Sequence, residues 1–426
     1  MENQITFESA RTRTFRLTWG QESTRRALAR IGPENLHVNP RFYIELPPDR
    51  NVSQVIAYLR HMMIKYEALR TTIDLTASGE YLQRVHGAGS IPLITQELTD
   101  FQGAQAARVF LESLATTSFS TDQVPIHLGV LNERGKPRFL VAVISHLLVD
   151  GWGLGLLRDQ LAASTWAARV PKPDLSQPVD RARFEDGPIG RSISNRSIAR
   201  WRRAVDRRPV AVLGKRRSPD NPRFCEVTYR PALFSNKLAA KSEAIGVSKP
   251  AVLVTALARA LGLWSGSNHF AALVEVSNRF NQEMQESLGT YNQLAPVSCD
   301  TGGEFSDAGR MMHTSLLLAY LTGQYNPRDH EQMLADMGLD AAGFGDYEVM
   351  INIPSGQTTA TPSALPPDEQ EFCWGPGRDY EIIPFFVKIT GINDHTEIFA
   401  RVDTTYVSRS EVEPLLRAVE HQLRLD

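Results

Sequence analysis

Phe139-Leu140-Val141-Ala142-Val143-Ile144-Ser145-His146-Leu147-Leu148-Val149-Asp150-Gly151-Trp152-Gly153 is the stretch on which the reading of this chain turns. Its first six residues form a continuous, branched apolar run, the pattern of a short strand buried on both faces. After it, Leu154, Leu157 and Leu161 recur at helical spacing. One histidine and one aspartate therefore stand in a turn between two packed elements. His146 is placed where a core strand ends, on backbone stiff enough to present a side chain accurately. Asp150 reads as a short acid that bonds the local backbone, and Gly151 as a residue free to take a positive φ at the turn.

A chain of 426 residues exceeds the length at which one hydrophobic core stops growing, so two lobes of roughly 200 residues each are expected. Hydrophobic residues at 42% and charged residues at 22% are those of a soluble globular protein. The balance of 46 basic to 48 acidic residues excludes the basic footprint of a nucleic-acid binder. The longest apolar stretch, 251–264, contains Arg259 and falls short of the ~20 residues of a membrane span. Met1-Glu2-Asn3-Gln4 lacks the basic-then-apolar order of a secretory signal. Cys225, Cys299 and Cys373, odd in number and far apart, read as reduced thiols. Together these features point to a cytoplasmic protein, and a monomer is expected.

The pattern predicts a helix over 52–66, with Asn51 and Gln54 as its cap and Val55, Ile56, Leu59, Met62, Met63 and Tyr66 on one stripe. It also predicts helices over 104–116, 154–166, 247–264 and 305–321, and a last one capped by Ser408 and Glu411. Strands are predicted near 42–46, 70–75, 126–131, 138–145, 271–277, 347–352, 385–390 and 396–403. The stretch from Pro171 to Gly190, rich in proline, charge and glycine, reads as the crossover between lobes, dividing the chain at 1–175 and 176–426. Lys215 to Pro222 reads as a solvated basic surface loop. Pro354 to Gly377 is a long Ser/Thr/Pro/Gly-rich loop of the length expected of a functional lid. The fold class is therefore mixed α/β, layered as α+β, and no 20-to-50-residue repeat is present.

Several chemistries find no motif. Gly151-Trp152-Gly153-Leu154-Gly155 lacks the third glycine of a dinucleotide fingerprint and the lysine of a phosphate loop. No His-Glu-x-x-His or Cys-x-x-Cys pattern proposes a metal, and no Gly-x-Ser-x-Gly elbow proposes a serine hydrolase.

His146-Leu147-Leu148-Val149-Asp150-Gly151 resembles the His-x-x-x-Asp-Gly core of the condensation domains of nonribosomal peptide synthetases, relatives of chloramphenicol acetyltransferase. Leu17 to Gln21 resembles the family's first motif and Lys65 to Thr72 its second. Asn278-Arg279, Gly289 to Gln293 and Asp403 to Tyr406 follow in the family's order. The resemblance implies two chloramphenicol-acetyltransferase-like lobes set as a V, one at 1–175 carrying the histidine motif and one at 176–426, with a tunnel between them. It further implies that peptidyl or acyl carrier proteins deliver acyl donor and acceptor on 4'-phosphopantetheine arms, coenzyme A being the alternative carrier, with no permanently bound cofactor and no metal. With no adenylation or carrier module in the chain, it resembles a free-standing condensation enzyme.

In that resemblance His146 is catalytic, as general base or positioning group. Asp150 pairs with Arg279 to support the turn, Gly151 keeps the tunnel uncrowded, and Ser145 replaces the usual first histidine. Asn352, Trp152 and Gln293 are the candidates for oxyanion or substrate contact, Gln293 standing where many relatives carry Asn. The chemistry suits an imidazole, because an amine attacking a thioester must shed a proton and a group titrating near ~6.5 is mostly neutral in cytoplasm. The expected reaction is amide formation between a carrier-bound acyl or aminoacyl thioester and an amine. An ester-forming or acyl-CoA-dependent transferase of the same fold is the alternative, and a non-catalytic module that recruits a tailoring enzyme is the alternative of another class.

Overall fold

The fold was obtained as a computed structural model, which describes residues 2–9, 11–98, 103–120, 123–163, 175–207, 212–214, 216–232, 234–339, 346–354, 371–393 and 395–424. The chain divides into two units. The first comprises Met1–Gly190 with Arg279–Tyr291, and the second Arg191–Asn278 with Asn292–Asp426. This differs from a single cut at 175 in two ways: the first unit runs on to Gly190, and it takes back a short return segment from the middle of the second half.

Strands of the first unit are β1 (Glu2–Glu8), β2 (Arg13–Arg16), β3 (Arg41–Glu45), β4 (Thr71–Leu75), β5 (Tyr81–Val85), β6 (Ala88–Glu97), β7 (Ile126–Glu133) and β8 (Lys136–Ile144). They form a sheet of order β1-β6-β7-β8-β3 and a smaller one of order β2-β5-β4. β8 is the strand of the decisive stretch and is buried on both faces. Leu140, Ala142 and Ile144 point into a core shared with Val55, Leu59, Met62 and Met63 of the helix α2 (Val52–Lys65), with Leu157 and Leu161 beside them. Phe139, Val141 and Val143 point into a second cluster with Phe110, Leu111 and Leu114 of α3 (Ala104–Ala115). Asn51 and Gln54 cap α2 reciprocally, Asn51 Oδ1 accepting from Gln54 N at 2.9 Å.

The expected crossover is in part a helix. Residues 171–174 lie outside the described residues, but Pro178–Asp186 is helical and belongs to the first unit. Its charges mislead because they are consumed internally. Asp180 pairs with Arg13, which also reaches Glu67 at 3.1 Å. Arg181 Nε donates to Glu185 at 2.7 Å, and Glu185 accepts from the Trp19 N–H at 2.7 Å. Charges so paired and hydrogen-bonded tolerate burial, so composition alone reads as solvent what is interior.

In the second unit the strands are β9 (Phe224–Tyr229), β10 (His269–Val276), β11 (Gln293–Asp300), β12 (Val349–Asn352), β13 (Phe372–Trp374), β14 (Phe385–Thr390) and β15 (Glu397–Asp403). They form one sheet of order β11-β10-β12-β14-β15-β9-β13, with β10, β12 and β14 parallel. One face packs against the helices Phe234–Ile245, Lys249–Ser265, Phe305–Leu321 and Arg409–His421. On the other, Ala271 and Leu273 meet Trp201, Tyr325, Met333 and Leu334.

Of the expected lid, 355–370 lie outside the described residues, and 372–374 form the edge strand β13, paired with β9. Lys215 lies outside the described residues; residues 216–221 are exposed, as expected of a solvated surface loop, and the loop is also tethered. Arg216 Nε donates to the Tyr406 hydroxyl at 2.9 Å and Arg217 pairs with Glu411 at 2.7 Å. Asp403 binds Arg223 through both oxygens and Thr404 Oγ1 accepts from Asp220 N, so the motif at 403–406 serves as the anchor of this loop.

Candidate active site

The turn after β8 is shaped by its own backbone. Ser145 N donates to Pro125 O, and Ser145 O accepts from Leu148 N at 2.9 Å and Val149 N at 3.3 Å. Ser145 Oγ accepts from Leu147 N at 3.3 Å, a local contact within the turn. His146 is then pinned from both sides, its N–H donating to Asn39 Oδ1 at 3.1 Å and its carbonyl accepting from Thr290 Oγ1 at 2.7 Å. The next carbonyl, Leu147 O, accepts from Gln21 Nε2 at 3.1 Å.

Gln21 and Thr290 are themselves fixed. Thr18 caps α1 (Trp19–Ile31), accepting from Gln21 N at 3.1 Å while its own N–H is taken by Gln21 Oε1 at 2.9 Å. Thr18 Oγ1 donates to Thr290 O at 2.8 Å. Gly20 allows this approach, since a Cβ there would stand 2.5 Å from Tyr291 Cα and 2.6 Å from Thr290 O. Thus the segments 17–21 and 289–291 meet beneath the histidine turn and hold it.

Asp150 N-caps α4 (Gly151–Ala162), its Oδ1 accepting from Gly153 N at 2.9 Å. Arg279 grips the same carboxylate with two bonds, 2.6 Å to Oδ2 and 2.9 Å to Oδ1, and gives a further bond of 3.0 Å to Gly289 O. Tyr291 N adds a fourth bond to Oδ2 at 3.0 Å. The pair is sealed, at 0% and 1% side-chain exposure, so its attraction is screened little by solvent. Two aromatic rings flank the guanidinium, Tyr291 at 4.7 Å and Trp152 at 6.0 Å. Burial pushes the Tyr291 phenol above its ordinary range, and its hydroxyl contacts Ser287 Oγ at 2.8 Å.

No bond runs from Asp150 to the histidine ring. Among the described residues the His146 Nδ1 is buried without a hydrogen-bond partner, and the residue as a whole is half-buried. Among the described residues no carboxylate bonds the ring, unlike the base of a Ser-His-Asp triad, so the imidazole is oriented by its backbone and packing.

Gly151 departs from expectation. It is the first residue of α4, is not among the positive-φ glycines, and among the described residues nothing lies within 4 Å of a Cβ placed there. The steric need is at Gly153, where a Cβ would meet Val149 Cγ1 at 3.1 Å and Leu288 Cδ1 at 3.2 Å. Trp152 donates from Nε1 to Gln285 O at 3.0 Å and packs over Arg279, which makes it a wall of the first unit.

The other two candidates lie in the second unit. Gln293 is buried with its amide engaged, donating to Tyr325 O at 2.8 Å and accepting from Tyr325 N at 3.3 Å and from Asn278 Nδ2 at 3.4 Å. Asn352, the last residue of β12, donates to Glu275 Oε2 at 2.8 Å. Sequence reasoning missed Asn39, whose signal is a lone polar residue with no pattern around it. Gln21 and Thr290 stood inside the quoted motifs without an assigned role. Among the described residues no group of three or more His, Cys, Asp or Glu is placed to hold a metal ion.

The family model of the condensation domain matches residues 13–326. The chain belongs to the condensation-domain family. It is 23% identical over 263 residues to chondramide synthase of Chondromyces crocatus, covering 58% of this chain and 7% of that protein. It is 25% identical over 303 residues to phosphinothricin tripeptide synthetase of Streptomyces viridochromogenes, covering 62% of this chain and 27% of that one. This condensation domain thus spans a small part of the length of the curated relatives it matches. Among solved structures, the condensation domain of chain release from the enacyloxin polyketide synthase superposes with a TM-score of 0.74 at 16% identity, covering 96% of this chain and 81% of that one. The X-domain from teicoplanin biosynthesis gives 0.71 at 17% identity, covering 96% and 94%. These likenesses establish the fold as that of condensation domains.

Proposed function

We propose that the chain is an acyltransferase that condenses a carrier-bound acyl or aminoacyl thioester with an amine, and that His146 takes or positions the proton the amine loses. The observation that carries this reading is the geometry of His146. Its backbone is held by Asn39 and Thr290, Nδ1 is buried without a partner among the described residues, and the half-buried ring leaves Nε2 as the nitrogen we assign to the proton. In a neutral imidazole with an accessible Nε2 lone pair, that atom accepts the proton as the tetrahedral intermediate forms. A hydroxyl acceptor would lose its proton to the same atom, so the ester-forming variant uses the same residue.

Asp150 acts one step removed. With four bonds already accepted it neither orients the ring nor relays a proton, and its ion pair with Arg279 holds the turn. Carrier proteins bearing phosphopantetheine are the partners this chemistry calls for, since the thioester leaves as a thiol when the amide bond forms. The test is reconstitution with a loaded carrier and an amine acceptor. Product formation that falls at least about a hundredfold in His146→Ala, the typical worth of a general base, supports the reading. Wild-type turnover in the variant overturns it, and recruitment of a tailoring enzyme with no transfer from any loaded carrier points to the non-catalytic module instead.

A further inference from the structure

On the face of the seven-stranded sheet that carries Ala271 and Leu273, a polar row crosses the ends of three parallel strands. Asn352 pairs in register with Lys388 of β14, and one residue beyond the Val274–Ile351 pairing Glu275 lies beside Asn352. Glu275 is clasped by two amides, Asn292 Nδ2 to Oε1 at 2.9 Å and Asn352 Nδ2 to Oε2 at 2.8 Å.

Lys388 stands at the end of this row without an ion pair or hydrogen bond among the described residues. Burial holds its ammonium below the ordinary lysine range, a pull that nearby Glu275 opposes. Among the described residues, Asn292 Oδ1 at the other end of the row is buried and also lacks a partner, and Asn352 Oδ1 accepts no bond. A half-buried lysine with three idle donors, in register beside Asn352 with its idle Oδ1, is costly and calls for an explanation.

We propose that Lys388 and Asn352 bind a substrate bearing a free carboxylate beside an amino or hydroxyl group, Lys388 taking the carboxylate and Asn352 Oδ1 accepting from the amine or hydroxyl. A single lysine next to Glu275 suits a monoanion. A phosphate, doubly charged, would be repelled by that glutamate and is ordinarily met by several donors. The assignment of this ligand as the acceptor rests on the condensation reading; the binding itself does not. The consequence is chemical. An acceptor carried on phosphopantetheine has its carboxyl tied up as a thioester, so a carboxylate site selects a free, soluble acceptor.

The chain has eight lysines, few enough to resolve after reductive methylation with ¹³C-formaldehyde, and Lys388→Arg assigns its resonance by removing it. The intact protein is titrated with acetate, glycine and inorganic phosphate, each against sodium chloride at equal ionic strength. The Lys388 resonance is expected to move saturably with acetate and glycine, with phosphate at least about tenfold weaker. No saturable movement with either carboxylate, or movement matched by chloride, overturns the proposal. Tighter binding of phosphate overturns it as well and assigns the site to a phosphate group. None of these readouts requires turnover, so failure here is separable from failure of the condensation reading. Where transfer is established, Lys388→Gln raises the acceptor KM about tenfold with kcat little changed, and Lys388→Arg retains much of the affinity.

Discussion

Arg279→Ala removes two hydrogen bonds to the Asp150 carboxylate and one to Gly289 O, and among the described residues leaves a carboxylate of 1% exposure held by the Gly153 and Tyr291 amides. Breaking a buried pair from one side costs about 3–5 kcal/mol, because the remaining charge is uncompensated. For a unit of roughly 200 residues, each kcal/mol lowers the melting temperature by about 2–4 °C. The expected drop is therefore about 10 °C in the transition of the first unit, read by calorimetry. Arg279→Lys keeps the charge but not the two-pronged geometry and recovers part of the loss. The double variant Asp150→Asn/Arg279→Gln, which leaves no buried charge, is expected to be less destabilised than Arg279→Ala, giving a coupling energy of about 1–3 kcal/mol in a double-mutant cycle. A melting temperature for Arg279→Ala within a degree or so of wild type, or strict additivity of the single changes, refutes the argument that this pair holds the turn.

Gly151→Ala is expected to leave stability unchanged or raise it by up to about 1 kcal/mol, alanine being the better helix residue, whereas Gly153→Ala, crowded by Val149 and Leu288, is expected to cost about 1–3 kcal/mol; equal melting temperatures for the two variants contradict this. Burial pushes the Cys225 thiol to about 11 and the Cys299 thiol to about 12, so near pH 8 their alkylation in the native protein is expected to be about 10²–10³ slower than in urea, and labelling at the unfolded rate defeats the expectation. At Asp180 and Asp403 burial opposes ionisation, but hydrogen bonds from Arg13 and Arg223 outweigh it and hold both carboxyls below the ordinary 3.8. The unfolded chain then binds more protons in acid, so the stability these groups contribute is complete well above 3.8 and is lost as pH falls through their depressed values. Melting temperatures followed downward from neutral pH check the sign, with Asp180→Asn expected to flatten the fall.

Much of the scaffold is legible in the chain because its periodicities are strong. The helix 305–321 is observed as Phe305–Leu321, and the capped run after Asn51 as Val52–Lys65. The double-sided burial of β8 is written in six consecutive apolar residues. Other strands carry weaker marks: β6 is polar and exposed along much of its length, and β11 contains Pro296. Pro178–Asp186 hides because its charges pair inside the unit. The return of Arg279–Tyr291 to the first unit leaves no local trace, since it is a matter of which distant backbone the segment bonds. At the site, the histidine, aspartate and arginine are legible through motif order, while Asn39, which fixes the histidine backbone, is not. Gly151 shows the limit of motif reasoning: the turn's steric demand falls two residues later, at Gly153.

The most direct measurement is single-turnover amide formation from a thioester-loaded carrier, comparing wild type with His146→Ala at matched folding. The account predicts a chemical step at least about a hundredfold slower in the variant, with carrier affinity unchanged. Equal rates in the two proteins contradict it.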